Sequence, residues 1–422
     1  MKIMVIGGGG REHALIRKIK ENPDVEKIYA LPGNGGIAAD AECVPIGAKD
    51  IESITAFARS HGVDFAVVAP DDPLVLGAVD ALEAMGIPCF GPTAGAAEIE
   101  GSKAFSKMLM EKYNIPTASS RIFGDAKEAR EYLRTSEYPI VIKADGLALG
   151  KGVFIAESRQ DAMEAIVAIM EEKVFGGSGN RVVIEEYLTG PEVSVLAFTD
   201  GKTMLPMVSS MDHKRAQTGD LGPNTGGMGA IAPNPFYTQE IADRCMEEIF
   251  LPTMEAMNSE GRPFRGCLYF GLMLTDNGPK VIEYNCRFGD PETQVVLPLL
   301  ESDLLSIMIH VSGGTLAEAD VRFSKGSSCC VIMASAGYPI QYDTGFEIAI
   351  PAGLPAQIFA AGVRAENGKL LTTGGRVLGV TATGEDLAQA VSRAYEAVAQ
   401  IRFKNAYYRT DIGKKALAGG EQ

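Results

Sequence analysis

A strand-like segment near position 285 carries side chains of the types that a metal site requires. Glu283, Asn285 and Arg287 are spaced so that in a β-strand they share one face. A carboxylate and an amide there offer oxygen ligands to Mg²⁺ or Mn²⁺, which can take its other ligands from water and substrate phosphates. Arg287 would meet the charge on a transferred phosphoryl group. The alternative is an ordinary edge strand, which is weakened by the polar segment that follows, residues 288–294 with Asp290.

A glycine-rich loop with two lysines forms the second cluster. Lys143 closes one apolar strand, Lys151 lies between Gly150 and Gly152, and a second apolar strand follows. The loop is not a P-loop, because Gly152 stands where that motif has Ser or Thr. A strand–loop–strand of this kind can close over phosphates with backbone N–H groups and positive charge. A surface hairpin with solvated lysines explains the same residues, so this loop by itself leaves both interpretations open.

A long polar loop, residues 212–229, forms the third cluster. It begins with Asp212, Lys214 and Arg215 and ends in a glycine pair at 226–227. Long polar loops inside compact domains are usually functional or disordered, and apolar elements on both sides argue against disorder. Paired cations followed by a Gly-Gly turn suit an anionic substrate. We therefore expect a substrate-binding loop here.

The N-terminal glycine turn, residues 7–10, connects a strand to a helix and is followed by Arg11. Backbone N–H groups at such a helix start can hold an anion. The G-x-G-x-x-G dinucleotide fingerprint is absent, because Glu12 occupies its third glycine position and the second strand is followed by a Pro-Gly-Asn-Gly-Gly segment without an acidic residue. Gly9 and Arg11 are thus candidates for contact with a substrate phosphate or amine. A purely structural turn is the alternative.

The remaining composition excludes several classes of protein. Four histidines are scattered without zinc spacing, and no G-x-S-x-G elbow supports serine hydrolysis. The formal net charge of −15 disfavours a nucleic-acid partner. No apolar run is long enough to cross a bilayer, and Met1 leads directly into a strand, so we expect no membrane segment, no signal peptide and a cytoplasmic location. Seven cysteines without CxxC pairs are expected as free thiols.

The elements that must position these clusters follow from the apolar pattern. Short apolar runs alternate with helical periods over the first hundred residues, which predicts a parallel α/β sheet. Strands are expected at 3–6, 27–30, 43–46, 65–69, 139–144, 152–156, 181–188, 192–199, 266–275, 279–287, 329–335, 347–350 and 376–381, and helices at 100–107, 161–172 and 387–401. The turn Asp276-Asn277-Gly278 predicts a hairpin.

Taken in chain order, the clusters resemble those of ATP-grasp enzymes. The matching residues are Lys103, Lys143 with its loop, Glu185-Glu186-Tyr187-Leu188, Glu192, Glu283 and Asn285. More narrowly, the segment 287–295 resembles the signature of the phosphoribosylamine–glycine ligase family. Other segments that resemble this family are 9–15, 100–105, 212–215, 223–229, 374–377 and 408–413. One departure is Ala69-Pro70-Asp71-Asp72, where the family commonly has Gly-Pro-Glu.

The sequence pattern places two domain boundaries, near residues 103 and 324, and the resemblance implies an α/β protein, with α+β parts, in three domains. These are an N-terminal parallel α/β domain (1–102), a central ATP-grasp domain (103–324) with a small lid lobe at about 118–190, and a C-terminal mixed α/β domain (325–422). The length of 422 residues agrees with two to four domains. The implied reaction joins glycine to 5-phosphoribosylamine at the expense of ATP, with Mg²⁺ or Mn²⁺, in purine biosynthesis. A monomer or weak homodimer is expected.

The resemblance also implies a role for each candidate residue. Lys103, Lys143, Gly150, Lys151 and Gly152 would contact the nucleotide, Glu185, Glu186, Tyr187 and Leu188 the adenine, and Glu192 the ribose. Glu283 and Asn285 would bind the metal. Lys214, Arg287 and Asp290 would be catalytic, and Gly9, Arg11, Asp212, Lys214, Gly226, Gly227, Met228 and Arg287 would bind substrate. Another ATP-grasp carboxylate–amine ligase with a different acceptor, and a non-catalytic nucleotide sensor, are the alternatives.

Overall fold

A computed structural model describes residues 1–148 and 152–419 of the chain. Gly150 and Lys151, both predicted to contact nucleotide, lie outside the described residues. Within residues 1–148 and 152–419, no helix combines the length and the apolar character that crossing a membrane requires. All seven cysteines are free, as expected, and six of them are buried.

The N-terminal region forms a parallel sheet covered by helices, as the apolar pattern predicted. Its elements are β1 (Lys2–Gly7), α1 (Gly10–Ile19), β2 (Lys27–Pro32), β3 (Glu42–Cys43), α2 (Ile51–His61), β4 (Phe65–Val68), α3 (Asp71–Val75), α4 (Ala78–Glu83), β5 (Cys89–Phe90) and α5 (Ala94–Gly101). The strand order is β3-β2-β1-β4-β5, with every pair parallel. The strand predicted at 43–46 is shorter and begins one residue earlier.

The next region is a small lobe with its own apolar core. It follows α6 (Lys103–Lys112) and contains β6 (Ser120–Phe123), α7 (Ala126–Leu133), β7 (Ile140–Ala144), β8 (Val153–Ala156), α8 (Arg159–Ile166) and β9 (Val182–Glu186). The strands form an antiparallel sheet in the order β6-β9-β7-β8. The helix predicted at 100–107 is in fact two helices, because Ser102 is extended and its hydroxyl caps α6 by accepting from the Phe105 amide at 3.0 Å.

A larger antiparallel sheet supports the lobe. Its region contains β10 (Glu192–Thr199), β11 (Met204–Pro206), β12 (Met211–Asp212), β13 (Arg215–Gln217), β14 (Leu221–Asn224), β15 (Gly229–Ala232), α9 (Gln239–Cys245), α10 (Leu251–Ser259), β16 (Gly266–Thr275), β17 (Gly278–Asn285), α11 (Thr293–Val296) and α12 (Leu304–Gly313). The sheet order is β11-β10-β16-β17. Thr275 pairs with Gly278, which confirms the hairpin predicted at 276–278.

The C-terminal region shares a sheet with the polar loop of the preceding region. Its elements are β18 (Ser327–Ser335), β19 (Glu347–Ile348), β20 (Gln357–Ala360), β21 (Val363–Glu366), β22 (Lys369–Thr372), β23 (Arg376–Gly384), α13 (Leu387–Val398), β24 (Ala406–Tyr407) and α14 (Lys414–Gly419). The shared sheet has the order β12-β15-β18-β23-β20, with β24 beside β18. The loop between β12 and β15 is thereby tied to the C-terminal strands, because β15 pairs with β18 and β12 pairs with β15.

Candidate active site

A cleft of about 870 Å³ lies between the lobe, strand β17 and the loop after β12. It brings together most of the residues predicted from the sequence, which are Arg11, Lys103, Lys143, Gly152, Glu185, Glu186, Tyr187, Leu188, Glu192, Asp212, Lys214, Gly226, Glu283, Asn285, Arg287 and Asp290. Among the described residues, Gly9, Gly227 and Met228 do not line the cleft. Met228 is only 1% exposed and packs in the interior behind the loop.

Two lysines mark the end of the cleft beneath the lobe. Lys143 is the penultimate residue of β7, and its Nζ lies 3.0 Å from Glu185 Oε2 and donates to the Ile282 carbonyl at 3.0 Å. Lys103 begins α6, and its Nζ donates to the Gly146 carbonyl at 3.1 Å. Burial lowers the pKa of Lys103, although nearby carboxylates, Glu283 first among them, oppose the shift. Two ammonium groups therefore converge where the glycine-rich loop leaves β7.

The carboxylate of Asp145 fixes this loop to α6. Its Oδ1 accepts from the Ser102 hydroxyl and the Ala104 amide, both at 2.8 Å, and its Oδ2 accepts from Arg181 Nε at 2.8 Å. A carboxylate at a helix start satisfies free amides there and interacts favourably with the helix dipole. Asp145 thus joins the lobe to the helix that carries Lys103.

Strand β17 presents the predicted metal ligands with the help of a β-bulge. Gly271 pairs with Glu283 but Leu272 pairs with Val281, which leaves Ile282 as an extra residue. Such a bulge re-aims the neighbouring side chains, and Ile282 and Glu283 both line the cleft. Burial raises the pKa of Glu283, but the positive charges of Lys214, Lys143 and Lys103 outweigh it and hold that pKa below its usual value.

Arg287 is held beside these residues by a buried carboxylate. Its guanidinium Nη2 lies 2.8 Å from Glu100 Oε1 and 3.1 Å from Asn285 Oδ1. The second oxygen of Glu100 accepts from the Cys286 amide at 2.7 Å. Glu100 therefore orients Arg287 and anchors the end of β17 at the same time. Glu100 stands in a segment that resembles the family, but no role was predicted for it.

The side chain of Glu12, in the first turn of α1, closes the N-terminal glycine turn. Glu12 Oε2 accepts from the Gly9 amide at 2.6 Å, and Glu12 Oε1 accepts from Arg11 Nε at 2.7 Å. A negative group already occupies the start of α1. Arg11 reaches beyond it to donate to the Phe288 carbonyl at 3.0 Å and lines the cleft.

The polar loop brings Lys214 into the centre of the cleft. Its Nζ lies 3.2 Å from Glu192 Oε2 and 3.9 Å from Glu283 Oε1. Chiefly because of Glu192, and against burial, the pKa of Lys214 is raised well above its usual value, so the group stays a cation. Burial and the charge of Glu292 raise the pKa of the neighbouring Asp212.

The far end of the loop is held by Arg376, which the sequence analysis did not select. Its Nη1 donates to the Gly226 carbonyl at 2.6 Å and to the Asp290 carbonyl at 3.0 Å, and its Nη2 lies 3.0 Å from Asp290 Oδ2. Burial raises the pKa of Asp290, but Arg376 and Arg11 outweigh it, so the carboxyl stays ionised. Gly227 has φ +109°, and a Cβ there would lie 2.4 Å from Pro291 Cδ.

Comparison with known proteins identifies the family of the chain. Three sequence models match consecutive parts of it: the Phosphoribosylglycinamide synthetase N domain at residues 1–100, the ATP-grasp (A) domain at 101–293 and the C domain at 328–415. The chain belongs to the phosphoribosylglycinamide synthetase family. Its ATP-grasp domain implies the use of ATP by an enzyme that acts on small molecules.

Curated relatives in this phosphoribosylglycinamide synthetase family match along their whole length. A phosphoribosylamine–glycine ligase of Clostridium acetobutylicum is 48% identical over 414 residues, which cover 98% of this chain and all of the relative. One of Rhizobium meliloti is 47% identical over 420 residues, with 99% of each covered. The match confirms the resemblance that the segment 287–295 indicated.

Solved structures agree with this assignment. A crystal structure of phosphoribosylamine–glycine ligase from Thermotoga maritima superimposes with a TM-score of 0.87 at 34% identity, covering 98% of this chain and all of that one. A biotin carboxylase from Campylobacter jejuni superimposes with a TM-score of 0.75 at 16% identity, covering all of this chain and 95% of that one. The second likeness shows the fold alone and confirms the expected α/β class.

No role was predicted from the sequence for several residues that line the cleft. They are Asp71, Glu100, Lys107, Tyr269, Glu292, Arg376, Arg409 and Asp411. Arg376 and Arg409 stand in segments that resembled the family, which was the signal available for them. Asp71 lies at the departure from the common Gly-Pro-Glu pattern, and despite burial the charges of Arg287 and Arg11 hold its pKa below the usual value.

Proposed function

We propose that the chain ligates glycine to 5-phosphoribosylamine, giving glycinamide ribonucleotide, ADP and phosphate. One observation carries this proposal: a single cleft holds the lysines under the lobe, the carboxylate–amide pair of β17 and the polar loop 212–229. The names of the relatives, which match along their full length, support the same substrates.

The proposed reaction has two steps. A carboxylate oxygen of glycine attacks the γ-phosphorus of ATP, and the bond to the bridging oxygen breaks to release ADP and form glycyl phosphate. The amine of phosphoribosylamine then attacks the acyl carbon, inorganic phosphate leaves, and the amine loses a proton. Positioning and charge neutralisation by the protein suffice for such steps, without a covalent protein nucleophile.

The nucleotide would lie under the lobe. Lys103 and Lys143, with Gly150, Lys151 and Gly152 of the loop, would contact its phosphates, and the segment 185–188 would contact adenine. Glu185 is 4% exposed, and its buried Oε1 accepts no hydrogen bond from any described residue, which leaves an unsatisfied acceptor beside the segment proposed for adenine. Glu192 would hold the ribose.

Glu283 and Asn285 fit the divalent cation that such a reaction uses. Both offer oxygen donors to the cleft, and the neighbouring lysines keep Glu283 ionised. When bound, the cation would neutralise part of the charge on the phosphates. Arg287, held by Glu100, adds a fixed positive charge on the same side.

The acceptor would occupy the part of the cleft between the polar loop and the N-terminal turn. The proposed contacts are the lining residues Arg11, Asp212, Lys214, Gly226, Arg287 and Asp290; Gly9, Gly227 and Met228, predicted as contacts from the sequence, would instead shape the turns behind them. Lys214 links the nucleotide and acceptor parts of the cleft, since it reaches both Glu192 and Glu283.

We further propose domains at 1–102, 103–324 and 325–422, a cytoplasmic location, and a monomer or weak homodimer.

The test is an assay of ADP release by the purified chain with Mg²⁺. We expect release that requires both glycine and phosphoribosylamine, with glycinamide ribonucleotide as product. Release that needs a different acid or amine would overturn the proposed acceptor but keep the ligase class. Nucleotide binding without turnover on any such pair would overturn both.

A further inference from the structure

Lys107 is a buried cation of α6 to which the proposed chemistry gives no role. Its side chain is only 4% exposed. Nζ lies 3.2 Å from Glu185 Oε2, and it donates to Thr117 Oγ1 at 2.7 Å and to the Ala118 carbonyl at 3.2 Å. An ammonium has three donors, and all three are engaged with the protein. Lys107 therefore has no donor left for a substrate.

Lys143 pairs with the same carboxylate oxygen but keeps a donor free. Its partners among the described residues are Glu185 Oε2 and the Ile282 carbonyl, which engage two of its three donors. The third can reach a ligand in the cleft that Lys143 lines. The two lysines thus differ in function, because all the donors of Lys107 are engaged by the protein, whereas Lys143 keeps one for a ligand.

The buried negative charge of Glu185 is compensated by both lysines. It is buried, two ammonium groups share its Oε2, and its Oε1 has no partner among the described residues. A buried carboxylate that loses one of two cations becomes more costly in free energy and attracts the remaining one more strongly. Removal of Lys107 would therefore turn Lys143 toward Glu185 and away from a ligand.

Thr117 extends this arrangement to the base of the lobe. Its hydroxyl accepts from Lys107 and donates to the Val281 carbonyl at 2.7 Å. The chain enters β6 of the lobe directly after this point, and Val281 lies two residues before Glu283 on β17. Lys107 consequently links α6, the connection into the lobe and strand β9.

We propose that Lys107 is a positioning residue, which holds Glu185 and the base of the lobe so that Lys143 points at the nucleotide phosphates. The inference rests on the nucleotide-binding part of the proposed function. It assigns Lys107 no contact with substrate.

A dependence on pH should accompany this role. Burial lowers the pKa of Lys107 to about 8; Glu185 and Glu186 oppose the shift, and Lys143 adds to it. Lys107 is therefore charged below about pH 8 and loses its charge above it. Nucleotide affinity should fall as the pH rises through this value.

Binding of a non-hydrolysable ATP analogue, the β,γ-methylene triphosphate with Mg²⁺, tests the proposal by calorimetry. We expect Lys107→Met to weaken binding about 10- to 100-fold, equivalent to about 1.4–2.8 kcal/mol, because Lys143 would lose much of its charge-assisted hydrogen bond to the phosphates. Lys107→Arg should restore most of the affinity. The matched control is Lys112→Met, which removes an exposed ion pair with Glu260 from the same helix and should bind as the wild type does.

Three outcomes would overturn the proposal: equal affinity in Lys107→Met and wild type, equal loss in Lys112→Met, or a lowered unfolding temperature with unchanged affinity. If Lys107→Met does not fold, the affinities of the wild type and of Lys107→Arg for the analogue are compared between pH 7 and 9.5 instead. The wild type should lose more affinity above about pH 8 than the arginine variant, because Lys103, whose pKa burial also lowers, titrates in both proteins. Parallel profiles overturn the proposal. Analogue binding needs neither glycine nor phosphoribosylamine, so inactivity of the wild type with those substrates would count against the proposed function alone.

Discussion

Arg409 donates through Nη1 to the carbonyl of Arg215 at 3.0 Å, a contact between residues 194 positions apart. The Arg409 side chain is 1% exposed and also pairs with Asp411 and Asp220, at 2.8 Å in each case. The C-terminal segment thereby holds the hairpin β13–β14, which follows Lys214 directly. The position of Lys214 in the cleft depends on a residue near the other end of the chain.

Replacement of Arg409 by lysine should impair use of the acceptor. Lysine keeps the charge but lacks the planar fork that reaches a carbonyl and two carboxylates at once. We expect kcat/KM for phosphoribosylamine to fall about tenfold, the equivalent of one lost hydrogen bond of about 1.4 kcal/mol. Arg393→Lys, an exposed change in the same region, is the control. Wild-type kinetics in Arg409→Lys would contradict the role.

Glu283→Ala should abolish most of the turnover with the fold intact. The variant lacks the carboxylate proposed as metal ligand, and several kcal/mol of charge stabilisation would go with it, so a loss of at least about 100-fold is expected. Steady-state ADP release and circular dichroism measure the two properties. The control, Glu347→Ala, removes an exposed carboxylate from β19. Full activity at saturating Mg²⁺ would refute the assignment.

Lys143→Ala should weaken ATP binding more than glycine binding. The loss of a charged donor to phosphate predicts a rise of about 10- to 100-fold in KM for ATP. KM for glycine should change less than threefold or so, because glycine would not contact this lysine. Lys127→Ala, exposed on α7 of the same lobe, is the matched control. Equal changes in both constants would argue against a phosphate contact.

Gly227→Ala should disrupt the polar loop. The glycine has φ +109°, and a Cβ would lie 2.4 Å from Pro291 Cδ and 2.7 Å from Asp212 Oδ1. The control is Gly368→Ala, where φ is +76° and nothing lies within 4 Å. The control should lose about 1–2 kcal/mol of stability from backbone strain alone, and Gly227→Ala should lose more and also lose activity. Similar behaviour of the two variants would show that the contacts at Gly227 are relaxed.

His213 should make the protein less stable in mild acid. Its Nδ1 contacts the Gly229 carbonyl and its Nε2 accepts from the Gly413 amide at 3.2 Å, which requires a neutral ring. Burial lowers its pKa to about 4. The unfolded state therefore binds more protons between pH 6.5 and 4, so stability falls as the pH falls through this window, by up to about 3 kcal/mol.

Denaturant unfolding of the wild type and of His213→Gln between pH 7 and 4 measures this contribution. The variant should lose less stability over the window, because glutamine does not titrate and can form similar hydrogen bonds. Identical slopes of unfolding free energy against pH would mean that His213 does not contribute.

Local spacing was enough to predict part of the site. The Asn-Gly turn at 277–278 predicted the β16–β17 hairpin, and alternation along its second strand placed Glu283 and Asn285 together. Such features depend on residues close in sequence, for which the strand geometry is fixed. The bulge at Ile282 was not predictable, because it arises from the pairing with β16 rather than from the residues of β17.

The sequence by itself determined the family, the order of the elements and which polar residues could do chemistry. Only the tertiary structure showed that Lys107, Glu100 and Arg376 contact those residues and that Arg409 contacts the hairpin beside them. Each of the four meets its partner across a long separation in sequence, as Arg287 and Glu100 do over 187 positions. A buried charge needs a partner in space, and a sequence pattern does not specify which distant carboxylate or carbonyl the fold will bring to it.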